Sequence, residues 1–259
     1  MSESIYARLL SGKNMLVTGI ADEQSIAWGC AKAFHEMGAK LAVTYRNERD
    51  REAVSVLAER LGALCLPLDV TVDGQMADLF DCLREHFGTL HSVLHSIAFA
   101  PKADLHGPLS NCSRSGFLKA MDCSCYSFIE MAHLAAPLMT EGGTLFTMSY
   151  HGAHQVVENY NVMGPVKAAL EASVRYLAHE LGRQGIRVHA ISPGPIRTRA
   201  ASGIADFDEL ISAACDRAPS GSMAGIEDVG YATAMLAIDN ARLITGSTIY
   251  VDGGAHIMN

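Results

Sequence analysis

The chain is short of positive charge and has no long apolar run. Its 20 lysines and arginines are outnumbered by 28 aspartates and glutamates, a formal net charge of −8. Tracking a phosphate backbone requires many Lys and Arg contacts, so nucleic acid is not an expected partner. No stretch reaches the length needed to span a bilayer, and Met1 to Lys13 lacks the apolar core of a secretory signal; a cytoplasmic location is expected. The seven cysteines are odd in number and scattered, which favours reduced thiols over a disulfide framework. A single residue separates Cys123 from Cys125, and no second pair stands at zinc-ribbon spacing, so both read as buried structural thiols. Internal repeats, low-complexity tracts and an interdomain linker are also absent.

What is present is apolar material in a regular rhythm. With 49% hydrophobic and 19% charged residues among 259, the chain suits one large α/β domain over residues 1–259. Short aliphatic runs alternate with longer amphipathic stretches, the signature of a parallel sheet wrapped by crossover helices. Strands are expected at Asn14 to Thr18, Lys40 to Tyr45, Leu64 to Leu68, Ser92 to Ile97, Thr144 to Met148, Arg187 to Ile191 and Thr248 to Val251. Apolar spacing of three and four predicts helices over Ile26 to Met37, Glu52 to Arg60, Gln75 to Phe87, Phe117 to Ala136, Ala168 to Leu181 and Glu227 to Ala237. The expected fold is a Rossmann-type, doubly wound, seven-stranded parallel sheet with helices on both faces. The Pro- and Gly-rich stretch near 196–225 breaks the rhythm after a strand's carboxyl end, where a substrate-covering lid belongs.

The first strand runs into Thr18-Gly19-Ile20-Ala21-Asp22-Glu23-Gln24-Ser25-Ile26-Ala27-Trp28-Gly29. Gly19 permits a tight turn, Ser25 and the amides around Ile26 are expected to face a pyrophosphate, and Gly29 to bring the helix close to the sheet. The glycine spacing is not GxGxxG, so this loop alone also fits an ordinary turn. Asp69-Val70 and Ser96-Ile97-Ala98 follow later strands and are expected to line the two ends of a dinucleotide. After the second strand comes Arg46, with Arg49 close behind, where an acidic residue would repel a 2′-phosphate. That arrangement leans toward NADPH over NADH, although Glu48 offers an arginine a partner.

After the fifth strand come Ser149-Tyr150 and then Asn159-Tyr160-Asn161-Val162-Met163-Gly164-Pro165-Val166-Lys167. A helix beginning near Asn161 would place Tyr160 and Lys167, about two turns apart, on one face, with Pro165 tolerated near its start. A tyrosine hydroxyl can stabilise an enolate oxygen, and a lysine ammonium can hold a ribose and favour negative charge nearby. A buried tyrosine beside a solvated lysine is the alternative.

The motifs Thr18-Gly19 with Ser25-Ile26-Ala27, His95-Ser96-Ile97-Ala98-Phe99-Ala100-Pro101, Ser149-Tyr150, Asn159 through Gly164, Lys167-Ala168 and Ile191 through Thr198 together resemble the enoyl-acyl-carrier-protein reductases of bacterial fatty acid synthesis. The likeness runs from Ser11 to His256. Short-chain dehydrogenases at large place tyrosine and lysine four apart, which here would require lysine at Gly164. The resemblance implies that Tyr160 hydrogen-bonds a thioester oxygen, Lys167 binds the nicotinamide ribose and Tyr150 lines the acyl pocket. It also implies cofactor contacts from Gly19, Ser25, Ile26, Asp69, Val70, Ile97, Ile196 and Thr198, substrate contacts from Ala100, Ala200 and Ile204, an enoyl thioester on acyl carrier protein as partner, and a homotetramer.

Three positions depart from the family pattern: Ala98 in place of a glycine, His151 in place of an apolar or aromatic residue, and Pro219-Ser220-Gly221-Ser222 without basic residues. The extra methyl of Ala98 is expected to narrow the nicotinamide pocket, and the changed lid end leaves the acyl carrier open. No metal site is expected, because His91 and His95 flank a strand and His151 and His154 have no nearby cysteine. Two other functions fit the scaffold: a carbonyl or alcohol oxidoreductase, disfavoured by the long Tyr-to-Lys spacing, and a silent dinucleotide-binding sensor, disfavoured by the retained Tyr150, Tyr160 and Lys167.

Overall fold

The computed structural model describes residues 8–199 and 207–258. Its centre is a seven-stranded parallel sheet in the order β3-β2-β1-β4-β5-β6-β7. The strands are β1 (Asn14–Thr18), β2 (Lys40–Tyr45), β3 (Leu64–Pro67), β4 (Ser92–His95), β5 (Gly143–Met148), β6 (Ile186–Pro193) and β7 (Ser247–Val251). All seven expected strands are there, within a few residues. Register places Val17 beside Val43 and Thr18 beside His95. Chain order reverses between β1 and β4, so a crevice opens at the carboxyl ends of those strands, the usual ligand position in such sheets.

The helices are α1 (Ile26–Glu36), α2 (Glu48–Arg60), α3 (Gln75–Phe87), the short α4 (Lys102–Leu105), α5 (Arg114–Met121), α6 (Ser127–Ala135), α7 (Met163–Leu181), α8 (Phe207–Arg217) and α9 (Ile226–Ala237). Burial splits into two cores, one per sheet face. Phe34, Val54 and Val229 from α1, α2 and α9 pack with Val17, Val43 and Phe146. On the other face Phe80, Phe128 and Leu170 from α3, α6 and α7 pack with Leu16, Val93 and Leu145. Each fully buried aromatic or aliphatic side chain contributes roughly 1.5–3 kcal/mol relative to exposure. The helices on both faces are therefore fixed by apolar burial, as expected for a doubly wound sheet.

Three helix boundaries differ from the sequence expectation. Helix α2 begins at Glu48, because the Asn47 side chain caps it by accepting from the amides of Arg49 and Asp50; an Asn cap is stabilising there. Helix α7 begins at Met163 rather than near Asn161, with Pro165 in its first turn, where a missing N–H costs nothing. The single helix expected over Phe117 to Ala136 is broken by a π-helical turn at Asp122–Tyr126 between α5 and α6. The turn is a single one, and the helical spacing on either side of it reads as one continuous helix.

Gly29 has a different role from the one expected. A Cβ there would lie 2.2 Å from the Ile226 carbonyl oxygen, and one on Gly230 would lie 2.3 Å from that of Gly29. The two glycines let α1 and α9 meet backbone to backbone. Gly29 thus serves helix packing against α9, not approach to the sheet.

Candidate active site

The site forms where β1, β4, β5 and β6 end. Gly19 has φ +92°, and a Cβ on it would fall 2.0 Å from the Ser96 carbonyl oxygen. Only glycine permits both that dihedral and the close approach of the two strand ends. The loop that follows is held by Ser25, whose hydroxyl accepts from the amides of Ala21 (3.0 Å) and Asp22 (3.1 Å) and donates to Asp22 Oδ1 (3.2 Å). Ser25 occupies the N-cap position of α1 but makes no side-chain cap. Its hydroxyl holds the loop through these three bonds. The amides of Trp28 and Gly29 return to the Ser25 carbonyl, leaving those of Ile26 and Ala27 ahead of the first helical bond, where an anion is favoured.

The other cofactor candidates lie along the same edge. Asp69 accepts from the amide (2.9 Å) and hydroxyl (2.7 Å) of Thr71 through one carboxylate oxygen. Val70, Ile97 and Ala100 are partly buried against the core of the α6–α7 face, and Ile196 against the opposite one. Thr198 is likewise half-buried. Arg46 is exposed, its Nε 3.9 Å from Asp50, whose other carboxylate oxygen meets Arg199 at 3.3 Å. Ala98 is exposed at the crevice. Ala200, Ala201 and Ile204 lie outside the described residues.

The π-helical turn serves this edge. Ser124 within it accepts from the Phe99 amide (2.9 Å) and donates to the Phe99 carbonyl (3.1 Å), clamping the segment after β4. Its neighbour Ser127 donates to the Cys123 carbonyl at 2.7 Å and meets His95 Nε2 at 2.8 Å. With that hydroxyl proton committed, Nε2 carries the ring proton and Nδ1 accepts from Thr147 at 3.1 Å. Burial, reinforced by the charge of Lys167, holds His95 neutral with a pKa of about 3. Cys123 and Cys125 are buried here, as the sequence indicates.

The reacting residues converge at the end of β5. Tyr160 sits in the turn before α7, between Asn159 at φ 62° and Asn161 at φ 42°. Asparagine tolerates this left-handed backbone better than most residues, and the two kinks turn Tyr160 inward to 8% exposure. A Cβ on Gly152 would lie 2.5 Å from the Tyr160 ring, so that glycine makes room for it. Tyr150 stands edge to face with Tyr160, centroids 4.9 Å apart. Burial pushes the Tyr150 hydroxyl up to about 12, against the nearby Arg217, and raises Tyr160 further, with Tyr150 and Glu171 adding to the rise. Both phenols therefore stay protonated and serve as hydrogen-bond donors.

Lys167, buried on α7, donates to the Met148 carbonyl at 2.6 Å. Burial lowers its pKa to about 8, while Cys125, Glu171 and Cys123 hold it up. One turn on, Glu171 is buried and accepts from Ser149 at 2.5 Å, with His154 Nε2 also at 2.5 Å. A cavity of about 420 Å³ opens beside Tyr150, His151, Asn159, Pro193 and Arg217. Sequence reasoning missed Gly152, Ser124 and Glu171, none of which carries a spacing signal. The Asn159/Asn161 pair flanking Tyr160 was the available clue to the turn.

A switch-point crevice with a glycine turn, a helix N-terminus and a buried Tyr/Lys set defines a Rossmann-type dinucleotide-dependent oxidoreductase. The comparisons with known proteins narrow this. The family model described as enoyl-(acyl carrier protein) reductase matches residues 19–256. An enoyl-[acyl-carrier-protein] reductase [NADH] of Bacillus cereus is 47% identical over 253 residues, 96% of this chain and 99% of that one; a relative of the same name from Nostoc is 48% identical over 96% and 98%. The crystal structure of the Bacillus cereus enzyme with NADP+ and indole naphthyridinone superposes with a TM-score of 0.95 at 46% identity, covering 97% of this chain and 99% of that one. The chain belongs to the enoyl-(acyl carrier protein) reductase family.

Proposed function

We propose that this protein reduces the trans-2 double bond of an enoyl thioester on acyl carrier protein, using a nicotinamide dinucleotide, in fatty acid synthesis. The observation that carries the reading is the buried Tyr150–Tyr160 pair beside Lys167 at the end of β5, in a chain of this family. The crevice fits the cofactor: a Cβ at Gly19 would strike Ser96, and the first amides of α1 are placed for a pyrophosphate. When bound, the dinucleotide supplies the hydride.

The chain's residues do the rest. Hydride delivery to the β-carbon would move negative charge onto the thioester oxygen, to which the protonated Tyr160 donates a hydrogen bond, and the enolate would then take a proton from solvent at its α-carbon. Tyr150 packs on the Tyr160 ring and lines the acyl cavity. Lys167 holds the nicotinamide ribose and adds positive potential near the developing charge. Gly19, Ser25, Ile26, Asp69, Val70, Ile97, Ile196 and Thr198 form the cofactor edge, and Ala100 faces the acyl chain.

The relatives' names specify NADH, so the lean toward NADPH draws no support from them, although the Bacillus cereus structure contains NADP+. Here Arg46 shares Asp50 with Arg199, which occupies part of its charge. NADH is therefore the cofactor proposed, with NADPH as the comparison. A homotetramer is proposed, for which Leu118, Tyr126 and Ile129 of the α5–α6 region are exposed apolar residues available to an interface, and sedimentation analysis tests it. No helix of the described residues is long and apolar enough to cross a membrane, in keeping with the proposed cytoplasmic location.

The deciding assay follows reduced-cofactor absorbance with crotonyl and longer enoyl thioesters on acyl carrier protein, against simple ketones. Turnover of the enoyl thioesters alone is expected. Turnover of ketones alone, or of neither, overturns the reading.

A further inference from the structure

Lys167 and Glu171 occupy successive turns of α7 and fasten successive residues at the end of β5: Lys167 holds the Met148 carbonyl at 2.6 Å and Glu171 the Ser149 hydroxyl at 2.5 Å. The Glu171 side chain is 2% exposed, and its second oxygen meets His154 Nε2, the half-exposed ring that covers it from solvent. A carboxylate is costly to bury without a purpose beyond packing. We infer that Glu171 is a positioning residue: set one turn beyond Lys167 on α7 and held by Ser149 and His154, it is the buried counter-charge to the Lys167 ammonium.

The inference rests on the reading of Lys167 given above. Of the three groups that hold Lys167 up, Cys125, Glu171 and Cys123, only Glu171 is a carboxylic acid. On the π-helical turn, burial raises Cys123 to about 11 and also raises Cys125; on β4, His95 is neutral; before α7, Tyr160 stays protonated. Beyond Glu171 lie His154, His151 and, on β7, Tyr250, which stacks on His256, the partner of Asp252. Removing the Glu171 carboxylate therefore takes away one of the groups that hold Lys167 up, and a lysine already lowered by burial loses its proton at a lower pH.

The test is the dissociation constant of NADH measured by calorimetry from pH 6 to 10. Wild-type affinity is expected to fall as pH rises through about 8, where Lys167 deprotonates. In Glu171→Gln the same fall is expected about half a unit or more lower, while Glu171→Asp, which keeps the charge, stays near wild type. Lys167→Ala is expected to bind weakly with a flat profile. Should the amide prevent folding, Glu171→Ser, small enough to admit water, carries the same expectation. A neutral variant that is folded and superimposes on wild type overturns the counter-charge. A Lys167→Ala variant with wild-type affinity and profile overturns the ribose reading instead, so the two failures are distinguishable.

Discussion

Tyr150 and Tyr160 meet edge to face, ring centroids 4.9 Å apart at 63°, although a 3-10 turn at His151–Ala153 and a loop separate them along the chain. The contact orients two phenols whose protons burial holds in place. In the proposed reaction Tyr160 is the donor and Tyr150 its support.

Removing the donor should therefore affect chemistry more than binding. Tyr160→Phe is expected to lose roughly 2–4 kcal/mol of barrier stabilisation, the range for deleting an oxyanion donor, with cofactor affinity unchanged. Single-turnover rates within a factor of a few of wild type would rule out this role.

Gly152 tests how tightly Tyr160 is placed. In Gly152→Ala the new methyl must displace the Tyr160 ring from a 2.5 Å approach, and small misplacements of a catalytic group lower turnover by between about tenfold and a hundredfold. The Michaelis constant for cofactor is expected to stay close to wild type. An unimpaired kcat would show that the ring's position is not critical.

Arg46 offers a test of cofactor preference. Arg46→Gln removes a guanidinium suited to a 2′-phosphate, so the Michaelis constant for NADPH is expected to rise about three- to tenfold, with that for NADH nearly unchanged. Parallel changes for both cofactors would make Arg46 an ordinary surface charge bound to Asp50.

Stability should fall in acid. Burial lowers the pKa of His95 from 6.5 to about 3 and that of His189 from 6.5 to about 4, with Lys167 and Arg187 respectively adding to the effect. The unfolded chain takes up these protons as pH drops below 6.5 and the native chain does not. Stability present above that pH is lost toward pH 4, at up to about 2.7 kcal/mol per pH unit for two histidines. Urea midpoints compared at pH 7 and pH 5 check this; equal midpoints would contradict it.

Most of the sheet was legible in the chain because buried parallel strands are continuous apolar runs and crossover helices are amphipathic, so each element declares itself within about ten residues. The β5 segment, its Tyr150 and the Tyr160/Lys167 pair were placed on motif and order alone. The start of α2 was missed although Asn47 carries the cap signal, and the π-helical turn left no mark on the spacing.

By itself, then, the sequence determined the element order, the glycine turn after β1 and the residue types able to do the chemistry, since these depend on local backbone and side-chain properties. Only the tertiary structure decided that Gly29 meets Gly230, that Gly152 makes room for Tyr160, and that Glu171 is held by Ser149. Those relationships depend on close approach and shared burial rather than on a repeating pattern. Their energies arise from excluded volume and desolvation, which no local pattern records.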